Sequence, residues 1–307
     1  MKSVDWWKNF ALGMELDAAG TFVYNGVRAL HGLPSLNHPV DCFEVLYNLS
    51  VGIERLLKVA IILVEHEEQV SLEQLERSLI SHNTIELADR INSRRKLELA
   101  NVHREFLSVL SRFYKTHRYG RYSISNIPEI DEERKLLLRF ICKHGNIQMD
   151  IGDEFSLIPN SDKIRRFFGT VVKKICDEVF RVVKDRAREL NIFTYEIRSD
   201  SKAMKVFYGE RLDFLDEDIK KKELLLFLMS EKAKGVHRAI FQEVDALDLD
   251  PTMVASYIHA LVNDVHLPYV EGEIDELYME MRDVKGRLGI LRVIDNEHLS
   301  FDDEGET

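Results

Sequence analysis

From Leu12 onward the apolar side chains recur at intervals of three and four: Leu12, Leu16, Ala19, Val23, Val27 and Leu30. That rhythm lines one face of an α-helix, and predicts a helix over about Trp7 to Leu30. Gly32 and Pro34 stop it. Pro39 and Asp41 open a second helix, with Leu46, Leu49, Ile53, Leu56, Ala60 and Leu63 as its stripe. The second half of that helix is apolar nearly all round, so it must be covered on every side and belongs at the centre of the fold. With only 6 prolines and 15 glycines in 307 residues, long helices are permitted throughout.

The same reading continues down the chain. Ser81-His82-Asn83-Thr84 offers N-caps for a third helix bearing Ile85, Leu87, Ala88 and Ile91. A fourth, from about Leu97, carries Leu99, Val102, Phe106, Val109 and Phe113, and Gly120 with Ser123 to Pro128 ends it. Four amphipathic helices on short loops predict a mainly α, up-and-down bundle. A further helix covers about Glu129 to Lys143, Gly145 to Asp162 is irregular, and a long helix reaches about Leu190. Ile192 to Ile197 reads as a short strand or as a helix end. Arg198 to Asp218 reads as a boundary, and Pro251 as the N1 residue of a later helix. The expected division is a bundle over 1–145, a helical extension packed on it over 146–200, a smaller, mostly helical C-terminal domain over 201–300 and an acidic tail over 301–307.

Composition narrows the function. Apolar residues make up 45%, enough for an ordinary core, and the net charge of −11 argues against a surface that binds nucleic acid all over. The longest strongly apolar run, Val59 to Val64, is far short of the roughly 20 residues that span a bilayer. No apolar stretch of signal-peptide kind follows Met1-Lys2-Ser3-Val4. Cys42, Cys142 and Cys176 are widely separated and form no Cys-x-x-Cys pair, so free thiols in a reducing, cytoplasmic setting are expected, and no metal site or cofactor. His66-Glu67-Glu68 is not His-Glu-x-x-His, and there is no glycine-rich phosphate loop. Trp6 and Trp7 read as a packing or dimer anchor.

Charge is unevenly spread. Between Arg90 and Tyr122 the basic residues are Arg90, Arg94, Arg95, Lys96, Arg104, Arg112, Lys115, Arg118 and Arg121, against Glu98 and Glu105. That is the local footprint of an RNA groove, and Tyr114, Tyr119 and Tyr122 are placed to stack on unpaired bases. The bland alternative is a basic helix end that complements the helix dipole. Arg-x4-His occurs at Arg77 and His82, at Arg112 and His117, and at Arg139 and His144. The middle copy ends the fourth helix, where positions 112 and 117 of an α-helix stand ~140° apart and Tyr119 lies within ~20° of Arg112. His82 reads as a cap or packing histidine, and His144, before Gly145, as a helix C-terminal one.

Glu54-Arg55-Leu56-Leu57-Lys58 on the second helix, His82-Asn83 opening the third and Arg112-x4-His117-x-Tyr119 closing the fourth resemble the HEPN superfamily, over roughly Leu12 to Tyr122. The family often has Asn directly after the Arg; here Phe113 stands there. The resemblance implies a metal-independent endoribonuclease of the kind found in toxin–antitoxin and antiviral defence systems. It would act as a homodimer, with Arg112 and His117 catalytic and a cleft between two copies of the fourth helix. It implies Tyr119 as the hydroxyl that a nucleotidyltransferase antitoxin would adenylylate. With the local charge, it points to Arg94, Arg95, Lys96, Lys115, Arg118 and Arg121 as RNA-binding residues. The alternative is a non-catalytic HEPN module for protein interaction and dimerisation.

Overall fold

The first stripe is buried along its whole length in α1 (Leu12–Gly32), where Leu16, Ala19, Val23, Val27 and Leu30 are all nearly inaccessible. The protein is described from a computed structural model, whose described residues are 11–65, 72–117, 131–148, 151, 157–192, 197–233, 244–264 and 267–292. It is mainly α-helical. No strand occurs among the described residues, only an isolated bridge between Ser35 and Pro159. The chain divides into two units, residues 1–214 and 215–307.

In the first unit α2 (Pro39–Glu65) is the central element. It is packed by α1, α4 (Thr84–Asn92), α5 (Asn101–Arg112), α6 (Glu132–Gly145) and α7 (Asp162–Glu189). The sequence asked for cover on every side, and these five helices supply it. Gly52 lets α2 approach α1 closely: a Cβ there would stand 2.8 Å from Val23 Cγ2 and 2.9 Å from the Ala19 carbonyl. Two short helices were not read from the sequence, α3 (Leu72–Ser78) and α8 (Lys202–Tyr208). Ala203 of α8 sits against Gly20 of α1, and Phe207 stacks on Phe180 of α7 at 4.5 Å. The break between units therefore falls after Phe214 rather than near residue 200, because Phe207, Leu212 and Phe214 are buried in the first core.

Buried helix ends are satisfied by side chains from far along the chain. Asn160 Nδ2 donates to the carbonyls of Leu30 at 2.6 Å and Leu33 at 2.9 Å, closing the C-terminus of α1. Arg186 Nε donates to the Leu63 carbonyl at 3.1 Å and does the same for α2. The segment around Pro159 thereby folds back on the α1–α2 loop, with Leu36 N–H donating to the Ile158 carbonyl at 2.9 Å. Of the reading over Ile192 to Ile197, residues 193–196 lie outside the described residues, as does the acidic tail.

The second unit holds α9 (Leu215–Met229), α10 (Val254–Asn263), α11 (Pro268–Glu280) and α12 (Val284–Leu291). Pro251 opens the 3-10 turn that leads into α10, and the Asp250 side chain accepts from Thr252 N–H at 2.8 Å. No helix among the described residues is long and apolar enough to cross a membrane.

Glu178 on α7 ties the loop before α5 to the core. Its carboxylate accepts from Lys174 Nζ at 2.6 Å, from Arg181 at 2.9 Å and from the Glu98 N–H at 3.0 Å. Burial pushes the Glu178 carboxyl up, but the three hydrogen bonds outweigh it and hold the group at about 2, below its ordinary 4.5. A depressed folded value stabilises the fold above the unfolded value and ceases to as pH falls through the folded one. Glu178→Gln should lower the urea midpoint at neutral pH and flatten the loss of stability between pH 4.5 and about 2. An acid limb as steep as the wild type's would show that this carboxylate anchors nothing.

Candidate functional site

The end of α5 is where the sequence placed its chemistry, and the backbone there changes type. After Arg112 the chain enters a π turn over Phe113–His117. An i→i+5 turn carries backbone positions five apart round toward the same side of the axis, so positions 112 and 117 come closer in phase than the ~140° of an α-helix. The side chain of His117, and Arg118, Tyr119 and Arg121 altogether, lie outside the described residues. Phe113 is fully buried, edge-on to Phe43 of α2 with ring centroids 5.2 Å apart. This gives a physical account of a Phe after the Arg: the position faces the core. Arg112 and Lys115 are exposed and Tyr114 half-buried. With Phe113 turned inward, the solvent-facing arc runs Tyr114, Lys115, Arg112 in that order.

A buried polar cluster fixes what lies beside that turn. The Ser111 hydroxyl stands 2.9 Å from Asn83 Oδ1 and 2.9 Å from Thr84 Oγ1, which itself lies 2.7 Å from the Leu107 carbonyl. Asn83 occupies the N-cap position of α4, yet its side chain makes no cap bond there and turns to Ser111 instead. The cluster locks the start of α4 against the last turn of α5. His82, the preceding residue, is thereby held over Tyr114, with ring centroids 4.2 Å apart and planes 27° from parallel.

His82 also meets Glu54, 28 residues away on α2. Its Nδ1 lies 3.1 Å and 3.0 Å from the two carboxylate oxygens, and Lys58 Nζ donates to Oε1 at 2.6 Å. Glu54 is 8% exposed, so its charge needs these donors. An ionised carboxylate only accepts, so Nδ1 turns its proton to Glu54, and in the neutral imidazole the lone pair is left on Nε2. Among the described residues Nε2 has no hydrogen-bond partner, and the His82 side chain is 47% exposed. The group lines a cavity of about 540 Å³ above α2, with Phe22, Tyr47 and Val51 also in its wall. On the far side Arg55 pairs with Glu15 at 2.5 Å. The sequence signal for this cluster was present, because Glu54, Lys58 and His82 are the residues of the resemblance. Their meeting was not, because it is a tertiary contact.

The other basic residues sit elsewhere. Arg94, Arg95 and Lys96 lie before α5, and the 12 residues of that helix put roughly 18 Å between them and Arg112 at 1.5 Å per residue. Each has an acidic neighbour: Arg94 lies 3.4 Å from Glu65, Arg95 2.7 Å from Glu189 and Lys96 3.9 Å from Glu98. The basic run is therefore offset by acids from α2 and α7 that a linear count does not see. Lys115 has no ion pair among the described residues. His144, the histidine of the third Arg-x4-His copy, donates through Nε2 to Glu105 on α5 at 2.8 Å and packs on Phe140. Lys143, and then His144, hold the Glu105 carboxyl below its ordinary range. Gly145 is the last residue of α6 rather than the C′ glycine beyond it, and Asn146 takes the left-handed position at φ 51°.

No family model, curated protein or solved structure matches this chain.

Ser111→Ala should remove the hydroxyl shared by Asn83 and Thr84 and leave the buried Asn83 Oδ1 without its donor, while Thr84 keeps the Leu107 carbonyl. The cost should be about 1–3 kcal/mol, read as a fall in the urea or thermal midpoint. A change under about 0.5 kcal/mol, the size of an ordinary surface substitution, would show that the cluster does not hold α4 to α5.

Proposed function

We propose that this chain is a metal-independent endoribonuclease of HEPN type that acts as a homodimer. The RNA 2′-hydroxyl attacks the adjacent phosphate, its proton is taken up, and the 5′-oxygen leaves with a proton. His117 moves these protons, and Arg112 offsets charge on the phosphorane with its rigid fork. The observation that carries the reading is the π turn over Phe113–His117, since π segments inside helices recur at functional sites. It coincides with the motif, and Tyr114, Lys115 and Arg112 follow one another over its solvent side.

A second reading, an interaction module, is favoured by α9. There Leu224, Leu226, Phe227, Leu228 and Met229 are each at least 50% exposed, the kind of apolar patch that marks a docking surface.

Cleavage of single-stranded RNA in EDTA tests the first reading. His117→Ala should lower the rate roughly 10²–10⁴-fold, and Arg112→Ala about 10²–10³-fold, with His144→Ala close to wild type and all three folded. Wild-type protein that leaves RNA uncut, with EDTA or with divalent ions, would move the weight to the interaction reading. Light scattering should find a dimer at tens of micromolar. A monomer at that concentration would count against a site shared between two copies of α5.

A further inference from the structure

The cavity above α2 has a composition that selects its ligand. Glu15 and Glu54 are matched by Arg55 and Lys58, each cation already tied to a carboxylate. Such a lining has little left to offer a phosphate. Its wall offers instead the apolar faces of Phe22, Val51 and Val59, and the rings of Tyr47 and Tyr114. A flat, uncharged heteroaromatic group fits that surface, and about 540 Å³ lies within the usual range of roughly 300–1,000 Å³ for small-ligand sites. His82 stands in the wall, and its Nε2 has no hydrogen-bond partner among the described residues. Glu54 fixes its tautomer through Nδ1, and Tyr114 fixes its plane. An acceptor lone pair beside an aromatic wall recognises a hydroxyl on a group attached to that heteroaromatic.

We infer that this cavity takes one nucleotide of a single-stranded RNA, its ribose 2′-hydroxyl donating to His82 Nε2. The identity of the ligand as RNA rests on the ribonuclease reading; the site itself rests on the cavity and the Glu54–His82 pair. The base lies on the apolar wall, and the flanking phosphates fall outside, over exposed Lys115 and Arg112. Deoxyribose carries no hydroxyl at that place, so His82 acts as the residue that tells RNA from DNA. Tyr114, Lys115 and Arg112 follow each other round the turn, so a strand crosses from the cavity to the motif without leaving this helix end.

Mononucleotides test the site without any dependence on cleavage. The probes are the four ribonucleoside 5′-monophosphates and their 2′-deoxy counterparts, each titrated into the full-length protein and followed by saturation-transfer NMR. For at least one base, saturation should reach both base and ribose protons, and the 2′-deoxy form should bind about threefold to tenfold more weakly, the worth of one hydrogen bond. In His82→Phe, which keeps a ring beside Tyr114 but has no acceptor, the two forms should bind alike. Absence of transfer for every base, equal binding of the two forms by wild type, or a preference that survives His82→Phe overturns the inference. The wild-type comparison decides even where the variant does not fold. Loss of cleavage in the strand assay with the 2′-hydroxyl preference intact would sink the ribonuclease reading alone. Cleavage without the preference would sink this one alone.

Discussion

A helix that is apolar nearly all round has to be covered on every side, and α2 imposes that on the first unit. Five helices surround it, and at Gly52 the seam leaves no space for a methyl group between α2 and α1. A covered helix cannot leave its own polar groups dry. The Leu63 carbonyl near its C-terminus is met by Arg186, and the Glu54 carboxylate by Lys58 and His82. An unpaired charge at 8% exposure would cost several kcal/mol, so Glu54 draws its donors from wherever the chain can reach. The Glu54–His82 pair is thus a consequence of burying α2, and it is also what leaves an oriented imidazole at the edge of a cavity.

The second constraint is Phe113. Its ring is locked against Phe43, and that fixes the phase of the turn that follows α5. Arg112 and Tyr114 must then fall on opposite flanks of the buried position, with Lys115 on the solvent side between them. A small or polar residue at 113 would give up this anchor. The residue that departs from the common HEPN pattern therefore sets where Arg112, Tyr114 and Lys115 face.

The long helices were legible because their signal is local. Leu12 to Leu30 and Leu46 to Leu63 carry enough turns for a stripe to declare itself, and Gly32, Pro39 and Pro251 mark boundaries close to where they fall. Leu72–Ser78 and Lys202–Tyr208 were not legible, since seven residues give two turns and no repeat to count. The unit boundary was misplaced for a related reason: Ser199, Asp200, Ser201 and Gly209 look like linker, while Phe207 and Phe214 are held by partners on α1 and α7. The π turn differs from an α-helix only in which carbonyl each N–H meets, and no residue type spells that out. Charge was the most deceptive signal. Arg94 and Arg95 read as free cations until α2 and α7 bring Glu65 and Glu189 beside them.

The second unit poses the opposite problem to the first. Among its described residues only Asp218, Ala233, Val262 and Val270 are buried, while α9 turns Leu224 through Met229 largely toward solvent. The described residues of this unit, with so few of them buried, gain little from hydrophobic burial, yet the apolar run of α9 has no polar face to make it an ordinary surface helix. A sequence of that kind is stabilised by covering it. The ribonuclease reading asks for a second copy at the end of α5, and the interaction reading asks for a partner on α9. These demands arise from different surfaces and different chemistry, one catalytic and one apolar. A dimer that met only the first would still leave α9 bare, so the interaction reading keeps its own physical motive even where the catalytic one holds.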